Sequence, residues 1–87
     1  MKPEISRFFG VVITMYYNDH NPPHFHARYG DQKAVIGIEP LRLLEGALPP
    51  RAIGFVMEWA ALHRQELLED WQLARSEAPL RHIAPLE

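Results

Sequence analysis

The chain has 87 residues, of which 47% are hydrophobic, and this length predicts one domain, 1–87, with a hydrophobic core. It contains no cysteine, which excludes disulfides, thiolate zinc sites and thiol nucleophiles, and predicts a reducing, cytoplasmic location. The formal net charge of −2 argues against general nucleic-acid binding, and no run approaches the about 20 apolar residues that span a membrane.

The first half of the chain has the patterns of β-strands. Residues 8–17 are rich in β-branched and aromatic residues, and their odd-numbered apolar positions should face the core. Residues 18–23 contain Asn, Asp and tandem Pro and predict a stiff turn. Residues 24–29 alternate strictly and predict a second strand. A glycine turn then leads to a third strand, 33–39, and residues 41–44 predict a short fourth.

The second half has helical periodicity. Apolar residues recur every three or four positions over about 50–76, which predicts one long helix, or two with a bend near His63 to Glu66. Trp59 and Trp71 lie on or beside this apolar stripe and should be core residues. The helical region also contains three acidic residues, which predict a solvated helix face or a contact surface for a basic partner. These residues are Glu66, Glu69 and Asp70.

The order of these elements predicts an α+β fold. A small antiparallel sheet of three to four strands in the first half should be covered on one face by the helix or by two consecutive helices. We expect the helix to cover the Phe25 face of the second strand, and to leave the opposite face towards solvent or a partner. That opposite face carries His24, His26 and Arg28.

Three of the five histidines fall within seven residues and predict a candidate metal site. His24 and His26 lie on one strand face with Cα atoms about 6.5–7 Å apart, so that their rings can converge on one ion. His20 or Asp19 in the preceding turn could supply a third ligand. Imidazole with a carboxylate suits Zn or another divalent transition metal.

The same residues suit acid–base chemistry. The candidate catalytic residues are His20, His24, His26 and Arg28. Histidine titrates near neutrality, and Lys33 should lie near Arg28 across the turn, so that an anion such as a phosphate would relieve the repulsion of the two cations. A structural interpretation stays open beside these two: the turn residues follow from turn geometry alone, and the histidines could hold the loop by hydrogen bonds.

Five segments carry a family resemblance: 5–10, 15–27, 48–49, 58–59 and 67–71. Together they resemble the small prokaryotic family known as domain of unknown function 4160, and the run YYNDHNPPHFH is the most specific part. The resemblance implies a toxin–antitoxin-like gene pair, with a protein partner of the domain of unknown function 2442 type encoded by the neighbouring gene. It supplies no catalytic residues.

Three functions therefore remain open. The chain could be one component of such a pair, acting through protein–protein binding and as an RNA-cleaving or RNA-binding toxin. It could be a metal-binding module that uses the histidine-rich segment. It could also be an adapter domain without chemistry, since an exposed strand edge can pair with a partner.

Overall fold

The computed structural model describes residues 3–87, which form an antiparallel sheet followed by two helices. The elements are β1 (Glu4–Phe8), β2 (Val11–Thr14), β3 (His24–Tyr29), β4 (Gln32–Ile38), β5 (Leu41–Gly46), α1 (Pro50–Leu62) and α2 (Arg64–Arg75). The strands pair in chain order, each antiparallel to the next. The predicted α+β class is confirmed, and the sheet has five strands where three to four were expected.

The predicted first strand, 8–17, is wrong in its extent. A turn at Phe9 and Gly10 ends β1, and β2 then returns along it, with Phe8 opposite Val11. Both turn residues have positive φ, +48° and +82°, as tight hairpin turns require. Phe9 is therefore 54% exposed, although its odd-numbered position had placed it in the core. The continuous apolar run concealed this turn, because a bulky aromatic residue rarely adopts positive φ.

The two helices are separate and pack against one face of the sheet. His63 ends α1 and precedes α2, so the alternative with two helices and a bend at this residue is correct. Trp59 and Trp71 are both buried in the core, as predicted. Within residues 3–87, neither helix is long and apolar enough to cross a membrane.

The C-terminal tail folds back over the edge of β1 and over α2. The Ile83 amide donates a hydrogen bond to the Ile5 carbonyl at 2.8 Å, and Ser6 Oγ donates to the Ile83 carbonyl at 2.9 Å. The tail thus covers the outer edge of the sheet, although it forms no regular strand there.

The prediction of a solvated acidic helix face is wrong for Asp70, which is buried. Glu66 and Glu69 are exposed, but Asp70 is buried, and its Oδ1 accepts a hydrogen bond from the Arg81 amide of the tail at 2.9 Å. Within the part of the chain that the structure describes, Oδ2 has no hydrogen-bond partner. Burial raises the pKa of this carboxyl group, because the charged form is desolvated. The helical pattern could not reveal this burial, since the covering tail lies eleven residues away in sequence.

Candidate metal centre

The loop between β2 and β3 brings its polar residues over the start of β3. Asn18 has positive φ, +54°. Its backbone N–H donates a hydrogen bond to the Ala74 carbonyl near the end of α2, at 3.3 Å. This bond ties the loop to the helix. The next residue, Asp19, contacts the ring nitrogens of His24 and His26 on β3.

The Asp19 carboxylate connects the three histidines of this region. Its Oδ1 accepts a hydrogen bond from the His20 amide at 2.8 Å and lies 2.9 Å from His20 Nδ1. Its Oδ2 lies 2.8 Å from His24 Nε2 and 3.5 Å from His26 Nε2. Burial alone would raise the pKa of Asp19, but the hydrogen bond from the His20 amide and the interactions with the histidine rings outweigh it and lower this pKa. Asp19 is thus a carboxylate with one oxygen directed at two imidazoles.

His24 is only 4% exposed, so the prediction that it faces solvent or a partner is wrong. The reason is the packing of the loop and α2 over the start of β3: the ring lies 5.1 Å from Trp71, centroid to centroid. Its Nδ1 lies 2.7 Å from the Pro22 carbonyl, which can only accept a hydrogen bond. Nδ1 therefore carries the proton, and in the neutral ring Nε2 presents its lone pair to Asp19 Oδ2.

His26 lies on the same face of β3, and its side chain is 25% exposed. Its ring stacks on Tyr16 with centroids 4.2 Å apart, which fixes the ring plane. Burial lowers the pKa of His26, and the hydrogen bond to Asp19 only partly opposes this effect. The neutral ring, which is the form that binds metal, is thereby favoured.

The ligating atoms of Asp19, His24 and His26 all lie within 4.8 Å of one another. A tetrahedral ion with bonds of about 2.0–2.2 Å places its ligands about 3.3–3.6 Å apart. The two separations from Asp19 Oδ2, 2.8 and 3.5 Å, are close to this range. The group as a whole spreads up to 4.8 Å, so an ion would have to draw the two histidine rings closer together.

His20 lies at the exposed margin of this cluster. Its side chain is 85% exposed, its Nδ1 lies 2.9 Å from the other oxygen of Asp19, and its ring lies 5.6 Å from that of His24. The group of converging ligand atoms contains the other three predicted metal ligands and does not include His20. Arg28 is exposed two residues further along β3, and its cross-strand neighbour is Lys33, as the sequence predicted. His26 and Arg28 line one groove on the outer face of the sheet.

Two supporting residues were missed by the sequence reasoning. Tyr16 stacks on His26, and Trp71 packs against the ring of His24. The contact of Tyr16 with His26 could have been predicted, because Tyr16 lies two residues after Thr14, which pairs with His26 across β2 and β3. The contact of Trp71 with His24 could not have been predicted, since it depends on how α2 meets the loop.

The chain was compared with models of known families, with curated proteins and with solved structures. The model of the family described as "Domain of unknown function (DUF4160)" matches residues 10–72. This range includes the loop, both histidines of β3 and most of α2. No curated protein and no solved structure matches the chain.

Proposed function

The chain belongs to the DUF4160 family, whose function is unknown, and we propose that it binds a divalent transition metal ion through Asp19, His24 and His26. These three side chains offer two imidazole nitrogens and one carboxylate oxygen. That ligand set suits zinc in particular.

One observation carries the proposal: His24 Nε2 and Asp19 Oδ2 face each other at 2.8 Å. With the ring proton on Nδ1, a neutral ring places two acceptors at this distance, and a cation between them, a proton or a metal ion, makes the contact favourable. A proton would serve for this pair alone. A metal ion also accounts for His26, which directs its Nε2 at the same oxygen.

The surroundings of the ligands support the same conclusion. Metal-binding histidines usually donate their second ring N–H to a carbonyl or a carboxylate, which fixes the ring. His24 has this arrangement through the Pro22 carbonyl. Asp19 is held in turn by the His20 amide on its other oxygen.

Three protein ligands leave a coordination position for water or a substrate. The groove beside the cluster opens on the outer face of the sheet and is also lined by Tyr16 and Arg42. A metal ion bound there would polarise an oxygen of a ligand or lower the pKa of a bound water. The proposed function therefore includes access for a small ligand.

Isothermal titration calorimetry with Zn²⁺, which measures the stoichiometry and the Kd, tests the proposal. The wild type should bind one equivalent, and Asp19→Asn should bind at least about tenfold more weakly, because a neutral amide oxygen replaces the carboxylate. Asp31→Asn makes the same chemical change in the exposed turn between β3 and β4, and should bind as the wild type does. Absence of binding by the wild type, or equal binding by all three proteins, would overturn the proposal.

A second candidate function, binding of a protein partner, is favoured by an aromatic patch on the surface. Phe9 and Tyr29 are 54% and 40% exposed, and the Phe9 ring lies 5.0 Å from that of Phe55. The partner we propose is the one that the family resemblance implies, a protein of the domain of unknown function 2442 type in a toxin–antitoxin-like pair. An RNA-cleaving or RNA-binding role within this pair stays a prediction.

Co-expression with the neighbouring gene tests this second function. The two proteins should co-purify, and Phe9→Ser should weaken the complex, because it removes an exposed ring from the patch. Leu62→Ser is the matched control: Leu62 is 69% exposed at the end of α1, outside the patch. Retention of the complex by Phe9→Ser, or its equal loss with Leu62→Ser, would count against this patch.

A further inference from the structure

Two cations lie side by side on the outer face of the sheet. Arg28 on β3 and Lys33 on β4 are directly opposite in the strand register, and both are exposed. Like charges in this position repel each other. Both residues line the groove that also contains His26. The sheet therefore concentrates positive charge in a concave surface.

The acidic residue of this groove is bound mainly by another cation, Arg7. Glu4 on β1 also lines the groove, but its carboxylate accepts two hydrogen bonds from Arg7, at 2.8 and 3.1 Å. The hydrogen bond to Arg7 is the largest influence on the pKa of Glu4 and lowers it. Glu4 also interacts electrostatically with Arg28, but a carboxylate already bound by Arg7 offsets only part of the charge of Arg28 and Lys33, so that the groove can still attract an external anion.

His26 connects this cationic groove with the proposed metal centre. It lines both the groove of Arg28 and Lys33 and the adjoining groove that contains Asp19 and His24. His26 and Arg28 are two residues apart on one strand face, a Cα separation of about 6.5–7 Å. An anion held by Arg28 can therefore reach the open coordination position with one of its oxygens.

We propose that Arg28 and Lys33 form a phosphoryl-binding subsite, so that the ligand of the metal centre is a phosphate ester. The metal half of this inference rests on the proposed function. A phosphoryl group has three oxygens for the partners present: the guanidinium of Arg28 binds two in a fork, Lys33 supplies a point charge, and the metal takes the remaining oxygen. A planar carboxylate, with two oxygens, cannot serve all three.

A titration followed by NMR chemical shifts tests the subsite. The probes are phenyl phosphate, a monoester, and diuridine monophosphate, a diester, each added to the zinc-loaded chain. The test variant is Arg28→Gln/Lys33→Gln. Its control is Arg64→Gln/Arg75→Gln, which removes the same charge from exposed positions on α2. The zinc affinity of every protein is measured first, so that damage to the metal centre is seen separately.

We expect phenyl phosphate to bind the wild type. It should bind the test variant about tenfold more weakly and the control with an affinity within about twofold of wild type. Tighter binding of the monoester than of the diester supports the arrangement, because only the monoester has three terminal oxygens for the three partners; tighter binding of the diester would count against it. Equal affinities in all three proteins, or equal losses in the two variants, would overturn it. If the wild type binds no zinc, the proposed function fails, and the same titration of the metal-free chain still decides whether the subsite exists.

Discussion

Replacement of His26 by Gln should remove most of the stabilisation that zinc gives to the fold. At a free Zn²⁺ concentration about 100 times the Kd, binding to the folded state raises the free energy of unfolding by about 2.7 kcal/mol. For a chain of this length that corresponds to a rise in Tm of roughly 10–20 °C. Removal of a residue that only forms a hydrogen bond to a metal ligand weakens metal affinity by about 10–100-fold. Removal of the ligand itself should therefore weaken the affinity by at least about 100-fold. The same zinc concentration would then raise Tm by only about 2–3 °C.

His26 suits this experiment because its removal should leave the metal-free fold intact. Its side chain is a quarter exposed and packs mainly on Tyr16, whereas His24 is buried against Trp71. The assay is thermal unfolding followed by circular dichroism, with and without Zn²⁺. His82→Gln, in the exposed tail, is the control and should keep the full rise in Tm. An equal rise in His26→Gln and the wild type would refute the assignment of His26 as a ligand.

Three further predictions concern stability. Gly46→Ala should destabilise the fold by about 2 kcal/mol or more, because φ is +76° and a Cβ would lie 2.2 Å from the Lys33 carbonyl oxygen. Gly54→Ala on α1, where a Cβ meets nothing within 4 Å, should instead stabilise the fold by about 0.5–1 kcal/mol. Urea denaturation measures the free energy of unfolding of both variants. An unchanged stability of Gly46→Ala would contradict the packing of β5 on β4. Burial raises the pKa of Asp70 above 3.8, so the folded state holds its proton more tightly than the unfolded chain, and this contribution to stability is lost as pH rises through the raised pKa. The free energy of unfolding of Asp70→Asn relative to wild type should therefore increase from about pH 4 to about pH 7, and a difference independent of pH would contradict the burial of a charged Asp70.

Much of the fold follows from local pattern. Strict alternation located β3, and the apolar stripe located the helices, because these periods arise from the geometry of the strand and the helix themselves. The turn at Phe9 was concealed within an apolar run, and the burial of Asp70 depends on a tail distant in sequence. Both errors come from contacts or backbone angles that local composition does not encode.

The candidate site was predictable in part for the same reason. The i, i+2 spacing of His24 and His26 places both rings on one strand face, and the structure keeps this relation. Sequence alone did not decide whether Asp19 or His20 lies with the two histidines of β3, because this depends on the path of the loop and on which side chain turns inward. The burial of His24 likewise requires α2, which joins the site only in the folded chain.

The zinc K-edge X-ray absorption spectrum of the zinc-loaded chain tests the central claim most directly. The measurement uses a variant in which His20, His63 and His82 are all replaced by Gln, so that His24 and His26 are the remaining histidines of the five. The account predicts two imidazole ligands together with oxygen ligands at about 2.0–2.2 Å. A shell of oxygen alone, without imidazole scattering, would contradict it.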